Sequence, residues 1–141
     1  MNNLMKDKRG LVMGVANDKS IGWGIAKAIA DQGGELAFTY QGEALKKRVT
    51  PLADSVNSDI VLPCDVSNDE DIDDTFNELK KKWSKIDFLV HAIAFSDKDE
   101  LKGEYIDTSR ENFLNTMDIS VYSFTAIARR AAIMMPDGGS L

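Results

Sequence analysis

The sequence is sparing with the residues that most often staple or metallate a small protein. It holds one cysteine, Cys64, and one histidine, His91. A lone cysteine excludes an internal disulfide and suits a reducing compartment. A lone histidine, with no Asp or Cys at ligand spacing, excludes the common His/Cys metal patterns, so no metal site is expected. Cys64 reads as a buried strand-end residue rather than a nucleophile, and His91 as neither ligand nor general base. Positive charge is the scarcer sign: 17 Lys and Arg stand against 23 Asp and Glu, a formal net charge of -6. That balance argues against nucleic acid or an anionic membrane as a partner. The one dense basic run, Lys80-Lys81-Lys82, falls late in an expected helix, where cations suit the dipole. No apolar run approaches membrane-spanning length, and Met1-Asn2-Asn3-Leu4-Met5-Lys6-Asp7 lacks the apolar core of a signal peptide. A cytoplasmic location is the expectation. Repeats and low-complexity tracts are missing too.

What is present is globular. Hydrophobic residues make up 43% and charged residues 28% of 141 residues, enough for one domain with a core, yet short for an α/β enzyme that must carry both a cofactor and a substrate site. The apolar run Gly10 to Val15 reads as a parallel strand covered on both faces. Ile21, Ile25, Ala28 and Ile29 then recur at helical spacing until Gly33-Gly34. A second strand spans Glu35 to Tyr40, and Glu43 to Val49 reads as helix, with Thr50-Pro51 either kinking or restarting it. Ile60-Val61-Leu62 is a short third strand. Ser67 and Glu70 have capping-box spacing before a helix whose Ile72, Phe76, Leu79 and Trp83 share a face. A fourth strand covers Ile86 to Ala92, an irregular polar stretch follows from Ser96 to Asp107, and Thr108 with Glu111 opens a long helix. That helix carries Phe113, Met117, Val121, Phe124, Ile127 and Ala128 toward Met134. Pro136 ends it, and Ser140-Leu141 reads as the first step of a fifth strand.

Strands alternating with helices predict an α/β, Rossmann-like, doubly wound parallel sheet of order 3-2-1-4, truncated before the fifth strand. Ligands of such sheets bind where the winding reverses, across the carboxyl ends of strands one and four. Gly14 and the segment His91 to Phe95 lie on that edge. The stretch Gly14-Val15-Ala16-Asn17-Asp18-Lys19-Ser20-Ile21-Gly22-Trp23-Gly24 is a strand-to-helix turn of the kind that holds phosphate, because the first N–H groups of a helix lack internal acceptors. Its five-residue gap departs from both G-x-G-x-x-G and G-x-x-x-G-x-G.

The ordered set G-x5-S-I-x-x-G, then Phe38-Thr39-Tyr40-Gln41, Cys64-Asp65-Val66 and His91-Ala92-Ile93-Ala94-Phe95 closely resembles the bacterial enoyl-acyl carrier protein reductases, divergent members of the short-chain dehydrogenase/reductase family. Leu101, Gly103, Tyr105 and Asp118-Ile119-Ser120 extend the match along the chain, which looks like the N-terminal portion of such a reductase. The resemblance implies that residues 1–141 are the N-terminal part of a single Rossmann-like NAD-binding domain. It places Gly14 against the adenosine side of the cofactor and the Ser20 hydroxyl and Ile21 N–H at the pyrophosphate. Asp65 and the Val66 N–H would meet the adenine, Ile93 the ribose and nicotinamide end, and Ala94 to Ser96, with Ser96 as substrate-binding residue, the acyl group. Gln41-Gly42-Glu43 after the second strand favours NAD over NADP, since Glu43 would repel a 2'-phosphate and Gln41 could hydrogen-bond the ribose or adenine region. Lys46, Lys47 and Arg48 lie a turn further on and read as a solvated face.

The activity implied is NADH-dependent reduction of trans-2-enoyl-acyl carrier protein in fatty-acid biosynthesis, by a homotetramer when full length, with the helix after Thr108 contributing to an interface. The family's proton-donating Tyr-x6-Lys pair must share a helical face. Tyr40 and Lys47 match it by count alone, and Tyr122 has Arg129 at that distance. No catalytic residue is therefore assigned, and the chain is expected to lack turnover. The alternatives are a short NAD-binding module without reductase activity and a short-chain dehydrogenase acting on a ketone or alcohol.

Overall fold

Leu11, Val12 and Met13 lie fully buried in β1 (Arg9–Met13), the strand on which both faces of the molecule are packed. The computed structural model describes residues 3–141; Met1 and Asn2, the start of the stretch screened for a signal peptide, lie outside the described residues. β1 pairs in parallel with β2 (Glu35–Tyr40) on one side and β4 (Phe88–His91) on the other, with Val12 opposite both Phe38 and Val90. β3 (Val61–Pro63) joins the far edge of β2, giving the expected order β3-β2-β1-β4. Ser140 adds a single parallel bridge to Phe88, its carbonyl accepting the Leu89 N–H at 2.9 Å, where the sequence predicts the first step of a fifth strand.

Side chains of alternating sign of direction send β1 into two cores. Leu11 and Met13 pack with Ile72, Phe76 and Leu79 of α3 (Asp69–Lys82) and Ala126, Ile127 and Ala131 of α5 (Ser123–Ile133). Val12 packs with Trp23 and Ala26 of α1 (Ile21–Asp31) and Val49 and Ala53 of α2 (Gly42–Ser55). Helices on both faces explain why the strands read as continuous apolar runs.

Several expectations are corrected. The buried face of α1 is Gly22, Trp23 and Ala26, whereas Ile21 is 81% exposed and Ile25 and Ala28 also face solvent. Gly22 lets the start of the helix lie close on the sheet: a Cβ there would sit 3.3 Å from the Ala92 Cβ, a tight contact. Of the two readings at Thr50-Pro51 the restart is ruled out: α2 runs through Pro51, which lies on the exposed side, where its missing N–H leaves a carbonyl to water rather than to the core. α3 is capped by Asn68, which accepts the Glu70 N–H at 2.9 Å, rather than by Ser67, and its last turn is the Lys80-Lys81-Lys82 run as expected.

Past β4 the expected single helix is three pieces. α4 (Arg110–Met117) is capped by Ser109, not Thr108, whose hydroxyl instead donates to the Tyr105 carbonyl and closes a 3-10 turn at Tyr105–Asp107. A π-helical turn, Asp118–Tyr122, follows and leads into α5. Of its proposed apolar face, Ile127 is buried, while Phe113, Met117, Val121 and Phe124 are exposed. The face of α5 that meets the sheet consists of Ser123, Ala126, Ile127 and Ala131.

Candidate functional site

Gly14 follows the last residue of β1 with φ +102°, and a Cβ there would lie 2.1 Å from the Ala92 carbonyl oxygen. No other residue type fits, because an L side chain is disfavoured at that φ and the neighbouring strand end occupies its place. The backbones at the ends of β1 and β4 thus converge at the point where the winding of the sheet reverses. A cleft of about 330 Å³ opens there, lined among others by Gly14, Gln41, Asp65, Val66, Ile93 and Ile119.

The loop after Gly14 is organised by Ser20. Its Oγ accepts the N–H groups of Ala16 at 3.0 Å and Asn17 at 3.1 Å, and its own N–H donates to the Asn17 carbonyl at 3.1 Å. A hydroxyl that accepts twice still has its proton to donate outward. Ile21 opens α1, so its N–H is among those without an acceptor in the helix. Together they present donors and a helix N-terminus, a setting that suits a phosphate anion.

On the β2–β3 side the Gln41 amide donates to Asp65 Oδ2 at 3.1 Å, while the other carboxylate oxygen accepts the Ser67 hydroxyl at 2.6 Å and the Ser67 N–H at 2.9 Å. The Ser67 hydroxyl above all, with its N–H and the Gln41 amide, holds the Asp65 carboxyl below its ordinary range despite partial burial, which acts in the opposite direction. An ionised, oriented acceptor results. Cys64, buried beside it, has its thiol pushed up chiefly by burial, in keeping with a structural strand-end residue. Lys46 lies with Nζ 5.7 Å from the Tyr40 ring centroid and 3.8 Å from the Glu43 carboxylate, so this cation beside the end of β2 already has a partner.

The structure therefore brings Gly14, Gln41, Asp65, Val66 and Ile93 to one cleft, with Ser20 and Ile21 at the helix that begins beside it. Ser96 is placed differently. Its Oγ accepts from Asn112 Nδ2 and from the Thr116 hydroxyl, each at 3.0 Å, and it lines a second depression of about 370 Å³ with Leu101, Tyr105, Phe113 and Met117. Sequence reasoning missed Ser67 and Ile119. The Asp-x-Ser spacing, which lets a carboxylate accept from two residues on, could have signalled the first; the second lies in the matched Asp118-Ile119-Ser120 stretch, which was given no site role. Tyr40 ends β2 and Lys47 lies in α2, so the counted Tyr-x6-Lys pair shares no helical face.

Comparison with known proteins follows the same outline. A family model described as enoyl-(acyl carrier protein) reductase matches residues 14–141. Over all 141 residues the chain is 62% identical to the enoyl-(acyl-carrier-protein) reductase (NADH) 2 of Rhizobium meliloti (strain 1021), covering 53% of that protein. The crystal structure of FabI from Candidatus Liberibacter asiaticus superposes with a TM-score of 0.97 at 55% identity, over 99% of this chain and 54% of that one. The reductase from Anaplasma phagocytophilum, solved in complex with NAD, gives 0.93 at 56% identity over 96% and 52%. The chain spans about half the length of the relatives it matches.

Proposed function

The chain belongs to the enoyl-(acyl carrier protein) reductase family, and on that premise we propose that it carries the cofactor-binding part of an NADH-dependent reduction of trans-2-enoyl-acyl carrier protein to the saturated acyl form in fatty-acid biosynthesis. The observation that supports this reading best is Gly14, whose backbone, with no space for a Cβ, opens onto the cleft of Gln41, Asp65, Val66 and Ile93. A flat dinucleotide needs such a close backbone approach at a topological switch point.

In this reading the Gly14 backbone meets the adenosine side, and the Ser20 hydroxyl and Ile21 N–H receive the pyrophosphate. Asp65, ionised and held by Ser67, accepts from the adenine amino group, the Val66 N–H donates to the ring, and Gln41 serves the adenine or ribose region. Ile93 contacts the nicotinamide end, and Ala94 to Ser96 border the acyl group. NADH, when bound, supplies the hydride for the enoyl β-carbon. Glu43 disfavours a 2'-phosphate, and Lys46 is already paired with it. Reduction also needs a donor aimed at the oxygen that gains charge, and within these 141 residues no Tyr-x6-Lys pair lies on one helix. The chain by itself then binds the cofactor without turnover. The assembled enzyme is a cytoplasmic homotetramer in which the α4–α5 region contributes to an interface; among the described residues no helix is long and apolar enough to cross a membrane.

Titrating the purified chain with NADH and NADPH, followed by nicotinamide fluorescence, tests this. NADH should bind more tightly than NADPH, Gly14→Ala should abolish binding, and crotonyl thioester should cause no NADH oxidation. Tighter NADPH binding, undiminished binding by the Gly14→Ala variant, or thioester-dependent oxidation would overturn the respective part of the reading.

A further inference from the structure

The wall of the cleft formed by residues 92–95 has left the sheet. Ala92 N–H still bonds the Met13 carbonyl at 2.9 Å, but among the described residues the backbone of 93–96 makes no backbone–backbone hydrogen bond. Packing does little for its far end, because Phe95 is half exposed. What holds this segment is a row of polar side chains running along α4, the π-helical turn and the start of α5. Ser123 Oγ lies 2.7 Å from His91 Nε2. Ser120 Oγ accepts the Phe95 N–H at 3.0 Å and donates to the Phe95 carbonyl at 3.2 Å. Thr116 and Asn112 hold the Ser96 hydroxyl, and Asn112 Oδ1 accepts the Asp97 N–H at 3.0 Å. The pairs run antiparallel: 91 with 123, 95 with 120, 96 with 116, 97 with 112.

We propose that this row is a positioning device for the segment Ile93–Phe95, which carries the nicotinamide-facing Ile93, and that Ser120 is its positioning residue; the proposal rests on the dinucleotide reading above. One hydroxyl there satisfies both backbone groups of the same residue, something no apolar side chain achieves. The wide turn explains how neighbouring residues serve the same place. Ile119 lines the cleft while Ser120 holds Phe95, and the Ile119 carbonyl accepts the Ser123 hydroxyl at 2.6 Å. π-turns inside α-helices occur often at functional sites for this reason, since they re-aim side chains without ending the helix. These hydrogen bonds lie on the exposed side of the cleft wall, so without the Ser120 hydroxyl the Phe95 backbone groups would turn to water and let Phe95, and Ile93 with it, sample other positions.

The device acts on one end of the cofactor, which makes it separable from a merely structural role. In the 141-residue chain, Ser120→Ala should weaken NADH binding by about fivefold, the order expected for the net loss of a hydrogen bond whose partners turn to water, while leaving ADP-ribose binding unchanged. Amide hydrogen exchange at Phe95 should rise without change at Leu11, Val12 or Leu89, and Ser120→Thr should restore both readouts. Equal weakening of NADH and ADP-ribose, or an unchanged ratio of the two affinities, would overturn the positioning role. An unsubstituted chain that binds neither ligand would overturn the dinucleotide reading itself and the proposal with it.

Discussion

His91 lies at the end of β4 with its ring edge-on to Phe124, centroids 5.6 Å apart, and its Nε2 against the Ser123 hydroxyl. Because that hydroxyl donates to the Ile119 carbonyl, it accepts from the ring, which places a proton on Nε2. Burial, the main cause, lowers its pKa below the ordinary value of 6.5. The sign of the linkage follows: the fold favours the neutral ring, so this stabilisation is complete above the ordinary value and is lost as pH falls through the lowered one. The single histidine should titrate by NMR with a midpoint below 6.5, and the acid limb of a denaturant-stability profile should flatten in His91→Gln. A midpoint above 6.5 would contradict the burial argument. At this scale the sequence offers His91 no partner at chemical spacing. Its real partner, 32 positions away, is set by the path of the chain and leaves no local trace.

Helix starts show a finer limit of the same kind. Ser67 with Glu70 and Thr108 with Glu111 both fit capping-box spacing, yet Asn68 and Ser109 are the caps. In each case two adjacent residues are competent, and the earlier one is drawn off by a tertiary or turn partner: Ser67 by the Asp65 carboxylate, Thr108 by the Tyr105 carbonyl. Local rules rank cap residues without seeing that competition. Two substitutions separate the roles at α3. Asn68→Ala should cost about 1 kcal/mol of stability in urea unfolding. Ser67→Ala should cost little stability but raise the Asp65 carboxyl pKa, because Ser67 is the chief group holding it down; carboxyl NMR titration reads this directly. Equal stability losses would return the cap to Ser67. The strands, by contrast, were legible to within about two residues at most ends, and so was the order of the sheet, because burial on both faces writes itself as continuous apolar runs. The cleft residues Gly14, Gln41, Asp65, Val66 and Ile93 were legible as parts of an ordered motif at strand ends, whereas Ser96, placed by the resemblance next to the acyl group, has its hydroxyl held in another depression.

Across the whole molecule, two parallel rows on the α4–α5 region explain the largest error of orientation. Asn112, Thr116, Ser120 and Ser123 hold residues 91–97 from one side. One position later, Phe113, Met117, Val121 and Phe124 repeat the same spacing and face outward, Phe113 45% and Val121 51% exposed. An amphipathic reading turns the apolar row inward, and here it is wrong because the segment beyond β4 is held by hydrogen bonds rather than by burial. Both faces of the sheet are already covered by α1 and α2 on one side and α3 and α5 on the other, so no further sheet surface is left for the apolar row. A contiguous apolar row of this length facing water is the mark of a protein interface, in keeping with the proposed tetramer. Sedimentation of the purified chain should show concentration-dependent association, and Phe113→Glu with Val121→Glu should shift it to monomer. The thermal unfolding of the diluted chain should stay within a few degrees of the unsubstituted one, because neither side chain belongs to the core and exposed substitutions shift stability by about 0.5 kcal/mol or less. A chain that sediments as monomer at every concentration, or a double variant that still associates, would place the interface elsewhere.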